Sequence, residues 1–470
     1  MNKLRGILFS VAALVMSATV WADAKPKYVF YFIGDGMGPG PVMSTLDYNR
    51  IVKGNPQLLM TSFPVSGLAQ TWSASSPVTD SAAAGTALST GSKTKNGMLG
   101  MNADTVAVYS VAKALKEDGW GIGIVTNCAA DDATPGAFYA HQPNRAMYYE
   151  VGKDAAASGY EFLAGASMRG DVDKVTNDST DLYEILENSG VQILRGAQGV
   201  KEVYTSTSKR ILLTNPLGYG SKGGLGYVID NQWADSIGMT LKGATEACLY
   251  HLEKNSPDKF FMMVEGGLID HALHSNDGAA VINEVLDFDQ TLGLAYEFYK
   301  EHPEETLIVV TADHDTGGMT VGSKVTGYNA HFDMVDSQKG SKNSFSDFCG
   351  NILRSRFVYT WENMKEVLED RFGFWKTVPI SAKQEEKLKD SFNKTIVERD
   401  AKDEEGLYDN SNAFAALVLK TFNDNAGLGY TSLKHTGNFV PVFAVGVGAE
   451  KFGRLLNNIE IPELIKEIAL

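Results

Sequence analysis

The sequence predicts an α/β protein: a mostly parallel central sheet with helices on both faces, plus an inserted helical subdomain. Three observations predict it. Short apolar runs end at glycine or acidic residues, and helical patterns lie between them. The stretch 321–430 breaks this alternation and carries its apolar residues in helical stripes. Continuous apolar strands, rather than alternating ones, are buried on both faces and belong to parallel sheets covered by helices.

The chain of 470 residues begins with a processing segment. Lys3 and Arg5 form a basic start, and 7–15 is an apolar run. Val20-Trp21-Ala22 and Ala22-Asp23-Ala24 offer small-residue cleavage sites. We read 1–22 as a secretory signal peptide, which directs the protein to the periplasm or the extracellular space. A membrane anchor is the alternative, but the apolar run is short for a span. No later run suits a transmembrane helix. The rest divides into an α/β core over 23–320, the insertion over 321–430, and a return to the core over 431–470.

The first strand is expected at 28–33, ending in Gly34-Asp35-Gly36. A second lies at 121–126, shortly before Asp131 and Asp132. The third and fourth, 260–264 and 306–310, end before Glu265 and Asp313. The fifth is 440–445. Helices are expected at 106–117 and 278–299. In the insertion, Trp361, Met364 and Leu368 give one helical stripe. Leu388, Phe392 and Ile396 give a second, and Phe414, Leu417 and Val418 a third.

Acidic residues therefore gather past the carboxyl ends of strands, where open α/β sheets build their sites. Asp35, Asp132, Glu265, Asp270 and Asp313 would raise one another's pKa values there, and bound cations would resolve the conflict. Asp270 and His274 sit at i and i+4, so a helix points them the same way. Asp313 and His314 leave a strand end together. Carboxylate plus imidazole is a ligand set for zinc, and two such pairs point to a two-metal enzyme. His435, just before the last strand, is placed to complete a site.

Thr79-Asp80-Ser81-Ala-Ala-Ala-Gly85 opens a helix of small residues. Ser81 falls in its first turn, where unpaired N–H groups favour an anion, and a hydroxyl near a metal is a nucleophile. Taken alone, a simple capping serine is the commoner reading. Asp35 sits on a glycine-rich turn that lets backbone approach a ligand. Asp132 and Thr134 offer oxygen ligands suited to magnesium. Arg145 can grip a phosphate or carboxylate through two hydrogen bonds. His141, His251, His302 and His331 are read as structural or surface residues.

The formal net charge is −15. An acidic chain disfavours nucleic acid as a specific partner, and an anionic substrate would need local cations. Cys128, Cys248 and Cys349 are too few for a disulfide framework, although one long-range pair is open in an oxidising compartment.

Taken in order, these motifs resemble the alkaline phosphatase family over 28–320 and 427–448. They are Gly-Asp35-Gly-Met-Gly, Thr-Asp80-Ser81-Ala-Ala-Ala-Gly-Thr-Ala, Val-Glu265-Gly-Gly-Leu-Ile-Asp270-His271-Ala-Leu-His274, Thr-Ala-Asp313-His314 and His435-Thr-Gly. The resemblance implies a phosphate monoesterase acting on small phosphorylated substrates through a phosphoserine at alkaline pH. It implies two Zn2+ ions, one on Asp270, His274 and His435 and one on Asp35, Asp313 and His314. It implies one Mg2+ on Asp35, Asp132, Thr134 and Glu265. Ser81 would be the nucleophile, Arg145 the phosphate clamp, and Asp80 its orienting partner. Family members carry lysine, tryptophan or histidine at His271, which would touch phosphate through water or draw the third site toward a softer metal. A homodimer is also consistent with it. The 321–430 segment departs from compact family members. The alternatives are a phosphodiesterase or sulfatase of related architecture, or a secreted metal- or phosphate-binding protein without turnover. The chain lacks the Cys/Ser-x-Pro-x-Arg run that sulfatases of this kind need.

Overall fold

Ten strands build one sheet in the computed structural model, which describes residues 25–173, 180–221, 223–230, 237–355, 358–400, 402 and 412–470. The expected signal segment, 1–22, lies outside the described residues. In chain order the strands are β1 (Tyr28–Gly34), β2 (Val65–Gln70), β3 (Gly121–Thr126), β4 (Phe162–Ala164) and β5 (Gln192–Arg195). There follow β6 (Ile211–Thr214), β7 (Phe260–Gly266), β8 (Thr306–Ala312), β9 (Val440–Gly446) and β10 (Leu455–Asn457). Their spatial order is β10-β2-β9-β8-β1-β7-β3-β4-β6-β5. β9 runs antiparallel to both neighbours, and the other pairings within the sheet are parallel. The mostly parallel sheet expected from the sequence is the one observed.

Side chains of central β1 show how both faces are covered. Phe30 and Phe32 point one way and meet Phe298 and Phe288 of the helix Gly278–Glu301, with ring centroids 5.5 and 5.6 Å apart. Tyr31 points the other way, and its hydroxyl donates to the Leu88 carbonyl on the helix Ser81–Thr90 at 3.4 Å. All three rings are buried. Each contributes about 1.5–3 kcal/mol by leaving water.

Register decides where the site forms. Gly34 pairs with Gly266 and with Ala312, and Thr126 pairs with Glu265. Strands β1, β3, β7 and β8 therefore end at one level, and Asp35, Glu265 and Asp313 emerge side by side. Antiparallel β9 begins at the same edge, with Val442 opposite Thr311, so His435 arrives there from the other direction.

The expected helix over 106–117 starts later, at Val111. Ser110 is extended, and its hydroxyl accepts from the Lys113 N–H at 3.1 Å. That cap satisfies a first-turn donor and fixes the start. All three cysteines are buried and unbridged, so no disulfide forms.

The helices Lys342–Arg354, Trp361–Phe372, Ala382–Phe392 and Ala413–Ala426 enclose a second apolar core, separate from that of the sheet. Phe345, Leu368, Leu388 and Phe414 lie within it. The three sequence stripes fall on the last three helices, with Ile396 just beyond the Ala382–Phe392 helix; the first helix was not anticipated. At the base, Thr320–Val321 pairs antiparallel with Leu428–Gly429 and draws the two ends of the segment together.

Gly446 closes β9 at φ +103°, and a Cβ there would stand 2.0 Å from the Thr306 carbonyl oxygen. Gly446→Ala is expected to lower stability by about 2 kcal/mol or more, because backbone blocks the new atom. Gly54→Ala, at φ +69° in open space, should cost about 1 kcal/mol. Chemical denaturation midpoints of the two variants check the difference.

Candidate metal centre

Helix Leu268–His274 starts immediately beyond β7 and places Asp270 and His274 one turn apart. The His274 Nδ1 lies 2.6 Å from the Leu433 carbonyl oxygen, and the His435 Nδ1 lies 2.8 Å from that of Thr79. A carbonyl only accepts, so each Nδ1 carries the hydrogen and each Nε2 keeps its lone pair. The two Nε2 atoms face each other at 3.0 Å. Asp270 stands 3.3 Å from one and 3.7 Å from the other. Burial opposes charge on Asp270, yet the neighbouring histidines hold its carboxyl well below the usual range.

The second group is Asp35, Asp313 and His314. Asp313 Oδ1 accepts from the Gly36 N–H at 3.0 Å and from the His314 N–H at 2.8 Å. Thr316 donates its hydroxyl to Asp270 Oδ1 at 2.5 Å, so it accepts from His314 Nδ1 at 3.2 Å. The His314 Nε2 lone pair then faces Asp35 Oδ1 at 3.3 Å and Asp313 Oδ2 at 3.2 Å. No hydrogen bond reaches either carboxylate oxygen. Gly36, at φ +70°, has no room for a side chain, since a Cβ would lie 2.8 Å from Asp270 Oδ1. Burial, then Asp313 and Asp270, push Asp35 well above the carboxylate range. Burial pushes Asp313 to about 7.

Ser81 is the first residue of its helix, and its Oγ lies 3.2 Å from His314 Nε2. Asp80 caps the helix, accepting from Ala83 N–H and Gly97 N–H at 2.9 Å each. Arg145 spans two carboxylates, donating to Asp132 Oδ1 at 2.9 Å and standing 3.7 Å from Asp80 Oδ2. Arg169 reaches the other oxygen of Asp132 at 3.5 Å and stacks over Tyr148, 4.4 Å from the ring centroid. Burial alone would raise Asp132, but these two guanidinium groups lower it. Sequence reading missed Arg169 because it follows β4, a strand of three residues.

Glu265 ends β7, accepts from the Thr126 hydroxyl, and is raised by burial to about 8. Thr134 lies in the short turn of helix Ala133–Gly136, beside Glu265. Asp132 closes on Cys128 and His271. Burial lowers His271 to about 4 and raises the Cys128 thiol well above its usual value.

Among the described residues, three trios each bring one ligand atom per residue within 4.8 Å of the others. They are Asp270, His274 and His435; Asp35, Asp313 and His314; and Cys128, Asp132 and His271. The orphaned oxygens and opposed lone pairs fit divalent cations, with imidazole and carboxylate suited to zinc and carboxylate with hydroxyl to magnesium.

A family model described as alkaline phosphatase matches residues 26–176 and 164–470. Alkaline phosphatase 4 of Bacillus subtilis is 30% identical over 462 residues, covering 96% of this chain and 90% of that protein. The Thermus thermophilus alkaline phosphatase structure superposes with a TM-score of 0.77 at 25% identity, covering 95% of this chain and 92% of that one. The cold-active enzyme of the psychrophile Shewanella sp. also gives 0.77, at 24% identity, over 94% and 99%.

Raised carboxyls make metal-free stability depend on pH. Glu265 at about 8 and Asp313 at about 7 hold protons in the fold that the unfolded chain has lost above about 4. Each therefore removes stability as pH rises toward its folded value. Below about 6.5 the lowered histidines His271, His314 and His435 act in the opposite direction. Above about 6.5 the raised His274 also loses its contribution as pH rises, so from about pH 6.5 to 8 these shifts act in one direction. The Tm gap between cation-loaded and chelated protein is expected to widen across that range in a thermal-unfolding series. Groups elsewhere, such as Lys93 held near 7 by burial, cancel in that gap.

Proposed function

Because the chain belongs to the alkaline phosphatase family of phosphomonoester hydrolases, we propose that Ser81 is its nucleophile and that phosphate passes through a phosphoserine. The observation that carries this reading is the 3.2 Å approach of Ser81 Oγ to His314 Nε2, at a helix N-terminus and beside two trios of carboxylate and imidazole. Asp270, His274 and His435 would hold one zinc ion, and Asp35, Asp313 and His314 the other. Asp35, Asp132, Thr134 and Glu265 would hold magnesium. When bound, such ions supply Lewis acidity to the attacking and leaving oxygens and offset the carboxylate charge.

Ser81 Oγ gives up its proton and forms a bond to phosphorus. The ester P–O bond breaks, and the alcohol departs with a proton from solvent. Water then attacks the phosphoserine, its Oγ–P bond breaks, and inorganic phosphate leaves as Ser81 regains a proton. Arg145 offers its planar N–H groups to two phosphoryl oxygens, held from behind by Asp80 and Asp132. His271 reaches phosphate through water. Positioning and charge stabilisation supply most of the rate. The need for an ionised serine places the optimum at alkaline pH.

A pocket built around a phosphoryl group need not read the leaving group, so broad monoester specificity is part of this reading. So are export to the periplasm or extracellular space and assembly as a homodimer. The segment 321–430 is read as an insertion in the phosphatase core, supported by its own apolar core and by the ribbon at its base. No helix of the described residues is long and apolar enough to cross a membrane.

Ser81→Ala is expected to reduce kcat on p-nitrophenyl phosphate by at least about three orders of magnitude with the fold retained. Chelation should abolish turnover, and zinc with magnesium should restore it. Full activity after exhaustive chelation would overturn the metal mechanism, and preference for a bis-ester substrate would overturn the role of Arg145.

A further inference from the structure

The reaction above gives no role to the Cys128 thiol, which stands in a trio with Asp132 and His271. Cys128 lies two residues beyond β3, and His271 lies on the helix that follows β7, the neighbouring strand. Its Sγ stands 3.7 Å from the His271 Nε2. Asp132 brings a carboxylate oxygen to the same place, all three ligand atoms lying within 4.8 Å of one another. Zinc bonds of about 2.0–2.3 Å in a tetrahedron separate neighbouring ligands by roughly 3.3–3.8 Å. The sulfur–nitrogen edge already has that length, and the carboxylate needs about 1.5 Å of closure at most.

We propose that Cys128, Asp132 and His271 form a further divalent-cation site, selective for a soft ion such as Zn2+ or Co2+. Thiolate and imidazole prefer such ions to magnesium, which takes oxygen ligands. Binding deprotonates the Cys128 thiol, the proton goes to solvent, and a metal–sulfur bond forms.

The local structure aims the sulfur. The Cys128 N–H donates to Thr126 Oγ1 at 2.8 Å, and its carbonyl accepts from the Ala166 N–H at 2.6 Å. The hydroxyl that receives the first bond also donates to Glu265, so Cys128 and the end of β7 share one anchor. Sγ then occupies the space above Gly267, where a Cβ would come within 2.4 Å of it. Any side chain at 267 would displace the sulfur, so the Cys128–Gly267 pair is matched. Asp132 belongs both to this trio and to the oxygen ligands of the magnesium site. Occupancy of the soft site therefore draws one carboxylate from the hard one.

The test is a Co2+ titration of the metal-free full-length chain, followed by near-ultraviolet absorption, with zinc per chain counted after reloading. A thiolate-to-cobalt charge-transfer band of one equivalent is expected. It should vanish in Cys128→Ala and in Cys128→Ser, and persist in a Cys248→Ala/Cys349→Ala double variant. Zinc should fall by one per chain in both Cys128 variants. His271→Ala, which keeps the thiol, should weaken cobalt binding at this band at least 10-fold. A missing band in the wild-type chain, or one that survives in both Cys128 variants, overturns the proposal. Turnover of p-nitrophenyl phosphate is read on the same zinc- and magnesium-loaded wild-type preparation. Turnover without the band rejects the soft site and keeps the phosphatase reading, whereas the band without turnover does the reverse.

Discussion

Like charge forced together by strand register is the constraint on which the rest depends. β1, β3, β7 and β8 end at one level, with Asp35 just past β1, Asp313 just past β8 and Glu265 next to last in β7. Two full charges 4 Å apart in protein surroundings repel by about 4 kcal/mol. Asp35, Asp313, Glu265 and Asp270 are all buried, so water cannot screen them. The fold tolerates this partly by protonation, as the upward shifts of Asp35, Asp313 and Glu265 record. A divalent cation removes the same conflict and leaves the carboxylates charged. The large aromatic core beneath β1 is what keeps the strand ends from spreading apart to relieve the repulsion.

The segment 321–430 braces the same place from outside. Residues 275–277 follow His274 directly. Asn423 donates to the Asn276 carbonyl at 2.6 Å, and Lys342 Nζ donates to that of Ser275 at 3.2 Å. Asp277 accepts from the Lys342 N–H at 2.6 Å and from Gln338 at 2.7 Å. The helix carrying Asp270 and His274 therefore ends in contacts made by residues of this segment. Shifting its helices would move His274.

What the sequence revealed and what it hid follow from how far each signal reaches. Long buried strands such as 260–264 and 306–310 announce themselves, and the residues after them were legible as a site. Short strands were not: β4, β5, β6 and β10 have three or four residues, too few for a period to show. Arg169 was lost with β4. Cys128 drew no site assignment because a lone thiol has no spacing to betray it. Only the pairing of Thr126 with Glu265 brings it to His271, 143 positions along the chain. Tautomers were also out of reach, because the carbonyls of Thr79 and Leu433 that fix His435 and His274 act through backbone and leave no residue-type signature.

An acidic protein that binds an anion needs its cations in the right place, and Asp132 shows how that is arranged. In the structure its two oxygens face Arg145 and Arg169, so much of the guanidinium charge is spent on a carboxylate. An ion on Asp132 would take over that carboxylate's charge. The guanidinium groups would then keep more of their charge for an anion, with Asp80 still 3.7 Å from Arg145. Cation binding and anion binding at this edge of the sheet are thereby linked through one side chain. The link is reciprocal, since a factor by which the cation tightens phosphate must also be the factor by which phosphate tightens the cation.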